Sequence, residues 1–429
     1  MEKGKFAACN LGSVIHEIRY GTGTPPPYLE PGPGTVPFVR ATDIKDGEVN
    51  LETLFHIAND QPKLMEKCRL AGGELIIVRS GVNTGDCAVI PPVLSGAYAA
   101  YDLILTFTPS ASAHFVSTFL DTEIGRLQLN MVKGRAAQPH INAEEVSALR
   151  IPLPKPTEQV NLVAGMDAAR ATWRAKLAEA DALLAGLDGF LLATLGITPP
   201  PEDVRKVFAV MSRNVPDRFD PHFYLPALMQ NTRMLVKAGA EPLGSLVSFS
   251  DEVWKPAAHD NPTFRYIEIS CVNPQTGEAR AETTPVTEAP SRARMAVRTN
   301  DIIVSLTRPH HGSIAQITPE LDGCVASTGF SVLRGINEEK VNREYLWCVL
   351  RTKMCLKQML QRASGGNYPA ITEQELAKVL LPLPKPAVQE TIAAEARRRR
   401  EEARRLRAEA EAGWQAAKRW FEEQLLGAA

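Results

Sequence analysis

Ile151-Pro152-Leu153-Pro154-Lys155-Pro156, with Gln159 three residues on, returns as Leu381-Pro382-Leu383-Pro384-Lys385-Pro386 with Gln389, an offset of 230. A motif of this kind occurring twice, each time ahead of a long proline-free stretch, divides the 429-residue chain into two halves built on one plan. Working back from it, Leu11-Gly12-Ser13-Val14-Ile15 corresponds to Leu243-Gly244-Ser245-Leu246-Val247 at an offset of 232. Gly73-Glu74-Leu75-Ile76-Ile77-Val78, followed by Gly85 and Gly96, corresponds to Asn300-Asp301-Ile302-Ile303-Val304-Ser305, followed by Gly312 and Gly323, at 227. Small loop insertions account for the drift.

Each proline of the motif fixes φ near about −65°, pushes its predecessor out of the α region and cannot donate to a strand ladder, so the motif reads as a hinge that the chain leaves in extended form. Beyond it, from 157 to 195, apolar residues fall at Val160, Val163, Met166, Trp173, Leu177, Leu184, Leu187, Leu191 and Leu195 with charge between them. The second copy, from 387 to 426, carries Ile392, Leu406, Trp414, Phe421 and Leu425, with Ala396, Ala403, Ala410 and Ala417 in the gaps. Each stretch predicts one helix of about 40 residues, about 60 Å long at 1.5 Å per residue, stopping at Gly196 and Gly427. A helix of that length needs a partner for its stripe, and the obvious partner is the other copy. The run Arg397-Arg398-Arg399-Arg400-Glu401-Glu402 reads as a solvated face with i,i+4 pairs.

Ahead of each hinge, Val36-Pro37-Phe38-Val39-Arg40 and Phe264-Arg265-Tyr266-Ile267-Glu268-Ile269 read as strands between turns. Helical patterns follow at 115–132 and 343–362, then Gly-containing loops at Lys133-Gly134-Arg135 and Ser364-Gly365-Gly366-Asn367. The fold class is therefore α+β, an α/β domain made twice. The expected divisions are a domain at 1–150, hinge and helix at 151–197, a linker at 198–217, a second domain at 218–380, and hinge and helix at 381–429.

With 44% apolar and 23% charged residues the chain is a soluble globular protein, and no apolar run approaches the roughly 20 residues of a membrane span. Met1-Glu2-Lys3-Gly4-Lys5 leads into no signal-peptide core, so a cytoplasmic location is expected. Seven scattered cysteines without a Cys-x-x-Cys pair read as reduced, mostly buried thiols. A net charge of −1 lacks the basic excess of a free-standing DNA binder.

Catalytic patterns are weak. Asp260-Asn261-Pro262-Thr263 lacks the second proline and the aromatic residue with which a DNA methyltransferase holds its target amine, and reads as a turn. Gly21-Thr22-Gly23-Thr24 runs into Pro25-Pro26-Pro27 and cannot open a helix as a dinucleotide fingerprint does. No phosphate-cradling Gly-x-x-x-x-Gly-Lys-Ser/Thr loop is present. His310-His311, adjacent at a strand end, should point to opposite faces and hold no metal. Glu144-Glu145 sit where a helix starts, which favours acidic residues in any case.

The tandem plan resembles the specificity subunit of type I DNA restriction-modification enzymes. The likeness rests on three stretches: the opening from Leu11-Gly12 to Gly47, with Val36-Pro37-Phe38-Val39-Arg40-Ala41-Thr42-Asp43-Ile44-Lys45-Asp46-Gly47; the pre-hinge segments Gln138-Pro139-His140-Ile141 and Tyr368-Pro369-Ala370-Ile371; and the hinge with its glutamine. The resemblance implies a non-catalytic chain whose two target recognition domains each read half of a bipartite double-stranded DNA sequence. It implies that the long helices pair as an antiparallel coiled coil with pseudo-two-fold symmetry. It also implies two copies of a DNA adenine methyltransferase subunit as partners, which use S-adenosylmethionine, and an ATP- and Mg-dependent restriction and translocase subunit; no cofactor falls to this chain. Arg218-Phe219-Asp220-Pro221-His222-Phe223-Tyr224 looks like a segment that introduces recognition domains in that family, yet nothing comparable precedes Leu11.

Base reading needs forked donors, Arg to guanine and Asn or Gln to adenine, whereas Lys and backbone amides mainly hold phosphate. In the first copy the candidates are Arg40, Thr42, Arg79, Ser80, Asn83, Thr84, Lys133, Arg135, Gln138 and His140. In the second they are Glu268, Ser270, Thr307, Arg308, His310, His311, Arg362, Ser364, Asn367 and Tyr368. The alternative reading is a protein-interaction scaffold, two β-rich modules on a coiled coil with no nucleic acid involved.

Overall fold

The computed structural model describes the chain apart from residues 1–4, 134–138, 200, 202, 204, 206, 212–214, 216–217, 259–260 and 428–429. Two compact units emerge, Met1–Leu177 with Arg407–Ala429, and Ala178–Leu406. This differs from the sequential division expected above, because each long helix gives its first part to one unit and its remainder to the other.

Both units carry the same sheet. In the first, the order is Ile15–Tyr20, Leu103–Phe107, Leu75–Ile77, Cys87–Val89; in the second it is Ser248–Phe249, Phe330–Arg334, Ile302–Ser305, Ile314–Gln316, every pairing antiparallel. The β-branched run at its centre has no solvated face, which is why it reads as continuous rather than alternating. Leu75 and Ile77 enter one core cluster and Ile76 and Val78 another; Ile302 and Val304 are likewise separated from Ile303. A second sheet is also repeated. Thr35–Val39 pairs antiparallel with Phe55–Ala58 and parallel with Tyr98–Ala99, as Thr263–Ile267 does with Glu282–Pro285 and Val325–Ser327. The second copy adds a fourth strand, Ala293–Ala296.

The helical patterns at 115–132 and 343–362 are each two helices, Ala113–Asp121 with Glu123–Val132 and Arg343–Leu350 with Lys353–Arg362. A buried threonine makes each break. Thr122 Oγ1 donates to Phe119 O (2.8 Å) and accepts from Gly125 N, and Thr352 Oγ1 donates to Val349 O (2.6 Å). The second helix of each pair is fastened to the strand before the hinge by one glutamine: Gln128 exchanges two hydrogen bonds with Arg150, and Gln358 two with Leu380. In the second unit, helix Pro226–Lys237 and the turn before it lie on Lys353–Arg362, with Asn231 donating to Met354 O and Gln361 to Phe223 O.

The repeated motifs prove to be joints. Ala8–Asn10 pairs with Arg150–Pro152 and Glu241–Pro242 with Leu380–Leu381. Gly12 and Gly244 then approach the chain before the hinge so closely that a Cβ would lie 2.9 Å from Ser147 Cβ and 3.0 Å from Ala377 Cβ. The hinge itself is clamped. Gln159, fully buried, accepts from Ser112 N (2.8 Å) and donates to Ser110 O (2.7 Å) and Pro154 O (2.9 Å). Gln389 repeats this with Asn342 N, Lys340 O and Pro384 O. Truncation would leave a buried donor and two carbonyls without partners, so Gln159→Ala and Gln389→Ala are each expected to cost about 2 kcal/mol in urea unfolding. Gln159→Glu, which can still accept but not donate, should cost no less.

The long helices run Pro156–Thr194 and Pro386–Leu426, each beginning on the last proline of the hinge, where the missing N–H costs nothing. They pair antiparallel. In the first unit Trp173 stacks on Trp414 (6.0 Å between centroids) and Lys176 bridges to Glu409 (2.6 Å). In the second, Ala180 packs with Ala403 and Leu406. The alanines of the second helix thus lie in the seam, with Ala396, Ala403 and Ala410 buried. Val160, placed in the seam by its spacing, is 64% exposed instead. The arginine run is paired, but it is not the solvated i,i+4 face expected: only Arg399 with Glu395 has that spacing, Arg398 shares Glu395, Arg397 bonds Glu390, and Arg400, largely buried, reaches Glu344 on another helix.

Candidate nucleic-acid interface

In each copy the loop leaving the central strand is stitched to the pre-hinge segment by the same backbone bonds. Ile141 N donates to Arg79 O (2.9 Å) and Ile371 N to Leu306 O (2.9 Å); one residue pair further, Gly81 N meets Pro139 O and Arg308 N meets Pro369 O. Ser80 bridges to His140 and Thr307 to Ala370 at the corresponding register. The pivot needs a left-handed backbone. In the first copy a glycine supplies it (Gly81, φ +93°), in the second a strained arginine (Arg308, φ +46°). The two loops therefore share a frame and differ in what they display.

On this frame the first copy gathers Arg79, Ser80, Thr84 and His140. The Arg79 guanidinium lies between Tyr20 (4.7 Å) and Tyr101 (4.3 Å), and its Nη2 meets His140 Nε2 at 2.8 Å, which makes that nitrogen the acceptor. Thr84 Oγ1 donates to Gly81 O (2.6 Å) and closes the loop. The second copy gathers Thr307, Arg308, His310, His311, Ser364, Asn367 and Tyr368. Arg308 lies over Tyr368 (4.2 Å) and reaches Asn367 O (3.4 Å), and Ser364 exchanges two 2.8 Å backbone bonds with Ala370.

Other candidates stand elsewhere. Arg40 spends its fork inward: Nε and Nη2 bond Asp43, Nη2 also reaches Thr53 O, and the plane covers Phe55 at 3.7 Å. Its pairing with fully buried Asp43, against the opposing effect of burial, holds the guanidinium pKa above the usual arginine value. Arg362 is engaged likewise, with Glu375 (3.1 Å). Thr42 and Asn83 line a cleft of about 310 Å³ with Asp86, Asp121, Arg126 and Lys418. Lys133 folds over Gly85, and burial, aided by Arg126, lowers its pKa. Ser270 donates to Glu268 (3.1 Å) and lines a separate cleft with Arg400 and Arg404. Arg135 and Gln138 lie outside the described residues.

His310 and His311 correct an expectation. They form a tight turn, Pro309–His311, rather than a strand end, so strand alternation does not apply and their rings meet edge to face at 4.5 Å. Burial, then His311, lowers the pKa of His310. No group of three metal-ligating side chains occurs among the described residues. Glu145 closes a capping box with Asn142 at the start of helix Ala143–Ala148. All seven cysteines are free, five of them buried. No helix among the described residues is long and apolar enough to cross a membrane.

The family described as Type I restriction modification DNA specificity domain matches residues 15–178 and 257–395, one stretch for each copy. The chain belongs to this specificity-domain family. Among its relatives is the Type I restriction enzyme HindI specificity subunit of Haemophilus influenzae, 28% identical over 113 residues, which are 26% of this chain and 24% of that one. The match thus spans about a quarter of that relative's length. A chain solved in work on complex assembly and conformational transition of the type I R-M system shares the fold, with a TM-score of 0.52 at 18% identity over 99% of this chain and 98% of that one. The HsdS subunit from Thermoanaerobacter tengcongensis aligns over 98% of this specificity chain and 97% of its own at 18% identity, with a TM-score of only 0.36.

Sequence reasoning missed Tyr20, Tyr101 and Asp102. At the 227 offset Tyr101-Asp102 faces Thr328-Gly329, but the two copies differ at most positions around them, so the sequence does not single them out. Asp102 accepts from Arg79 N (3.2 Å), and burial pushes its pKa up to about 6 despite that bond. The folded pKa exceeds the unfolded one, so the native state binds the extra proton between about pH 4 and 6; stability falls as pH rises through that window and stays low above it. Asp102→Asn, which keeps the acceptor, is expected to stabilise the specificity chain by about 1–3 kcal/mol at pH 8 and by almost nothing at pH 4. Urea unfolding at both pH values measures it, and equal gains would contradict the assignment.

Proposed function

We propose that this specificity chain is the DNA-reading subunit of a type I restriction-modification complex. Each copy reads one half of a bipartite duplex sequence, and the paired long helices hold the two reading loops at a fixed spacing. Chemistry resides elsewhere: two DNA adenine methyltransferase subunits dock on the chain and bring S-adenosylmethionine, and a restriction and translocase subunit using ATP and Mg can join. The chain itself is non-catalytic, holds no cofactor and works in the cytoplasm.

The observation that carries this reading is the repeated loop junction, with identical backbone bonds and dissimilar side chains. Such a pair suits two different half-sites. Near-neutral charge fits a subunit whose partners supply much of the phosphate grip. Co-expression with a type I DNA adenine methyltransferase subunit from the same genome, followed by methylome sequencing of the host, tests the proposal. A split motif with a constant gap is expected, and an assembled complex that methylates nothing overturns it.

A further inference from the structure

Among the candidate arginines within the described residues, two differ from the others in what their guanidinium groups do. Arg40 and Arg362 are bound by carboxylates, whereas neither Arg79 nor Arg308 makes an ion pair among the described residues. Each lies instead on tyrosine faces at the stitched loop, and those tyrosines reach the surface: Tyr20 is 37% exposed, Tyr101 45% and Tyr368 71%. One Nη2 bond fixes each plane, to His140 Nε2 in the first copy and to Asn367 O in the second.

The two constellations occupy different positions of the repeat. By the loop bonds Arg79 corresponds to Leu306 and Arg308 to Gly81, while His140 corresponds to Ala370. A structural need of the fold would keep one position, yet each copy has built an arginine on tyrosine from different residues at the same junction. Arg308 does so with a left-handed backbone that costs about 1–2 kcal/mol in a side-chain-bearing residue. Residues held in such a conformation cluster at functional sites. The Arg79 Nε is buried, so the donors left to its stacked guanidinium are those on Nη1 and Nη2, and a fork of this kind matches O6 and N7 of guanine in the major groove. Lysine has neither the planar fork nor the stacking on tyrosine that fixes it.

We infer that Arg79 and Arg308 are the specificity-determining residues for guanine, one in each half-site. This rests on the DNA-reading role proposed above. The test is methylome sequencing of the full chain co-expressed with its methyltransferase, as wild type and as Arg79→Lys and Arg308→Lys. The wild-type motif should contain a G:C pair in both halves. Each variant should relax one G:C position by about 10–100-fold, in opposite halves, leaving all other positions and the gap unchanged. A wild-type half-site made only of A:T pairs overturns the inference without any variant, as does a split motif that both variants leave intact or relax in the same half. A wild-type complex that yields no split motif fails at the earlier step and removes the DNA-reading role with it.

Discussion

Removal of residues 176–182 together with the facing 403–409 is expected to abolish methylation of the wild-type motif and replace it with one having the same half-sites and a gap shorter by one to three base pairs. The two segments face each other because Lys176 meets Glu409 and Ala180 meets Ala403. Seven residues are close to two helical turns, so the stripe of Met166 and Trp173 stays in phase with that of Leu184 and Leu191. The helix shortens by about 10 Å, against about 3.4 Å per base pair, which sets the upper figure. Duplex DNA also turns by about 34° per base pair, and twisting it back opposes the full change. Methylome sequencing reads gap and half-sites together; an altered half-site with an unchanged gap would show that the helices do not set the spacing. Deleting only 176–182 leaves the facing helix unmatched and should impair folding instead.

Arg40→Met is expected to destabilise the chain by about 2–4 kcal/mol while leaving the recognised sequence unchanged. The substitution keeps the apolar stem over Phe55 but strands Asp43, a fully buried carboxylate, with only Arg40 N and Thr53 Oγ1 as donors. Breaking a buried pair from one side costs more than the pair contributes, because the surviving charge cannot be rehydrated. Urea unfolding gives the loss, and the methylome of the variant complex gives the second half of the result. A relaxed base in the first half-site would mean that Arg40 contacts DNA after all. The second copy offers a natural comparison, since Glu268 and Cys271 occupy the places of Arg40 and Asp43 and no such pair forms there.

Much of this arrangement was legible in the sequence because the repeat supplies its own alignment. Pro156 and Pro386 mark the starts of the two long helices, and the runs around Ile76 and Ile303 mark the central strands. Periodicity failed where a single polar side chain decides the outcome. Thr122 and Thr352 break helices that the apolar pattern continues through, and the hinge glutamines clamp a proline motif that its sequence shows only as extended. The site was legible as regions only. An arginine's role depends on whether a carboxylate or a tyrosine lies beside it, and those partners are distant in the chain: Tyr20 is 59 residues from Arg79. Arg40 and Arg79 look alike as sequence and differ entirely in surroundings. The pairing of His310 with His311 was hidden for a related reason, since a left-handed Arg308 redirects the chain and removes the alternation of a strand.

The central claim is that each copy reads its own half-site. A chain in which residues 218–384 are replaced by a copy of 5–154 tests it most directly, because the stitched loop, the sheets and the clamped hinge then carry over as one piece. Co-expressed with the methyltransferase, it should methylate an inverted repeat of the first half-site separated by the wild-type gap. A motif that still contains the wild-type second half-site would contradict the account.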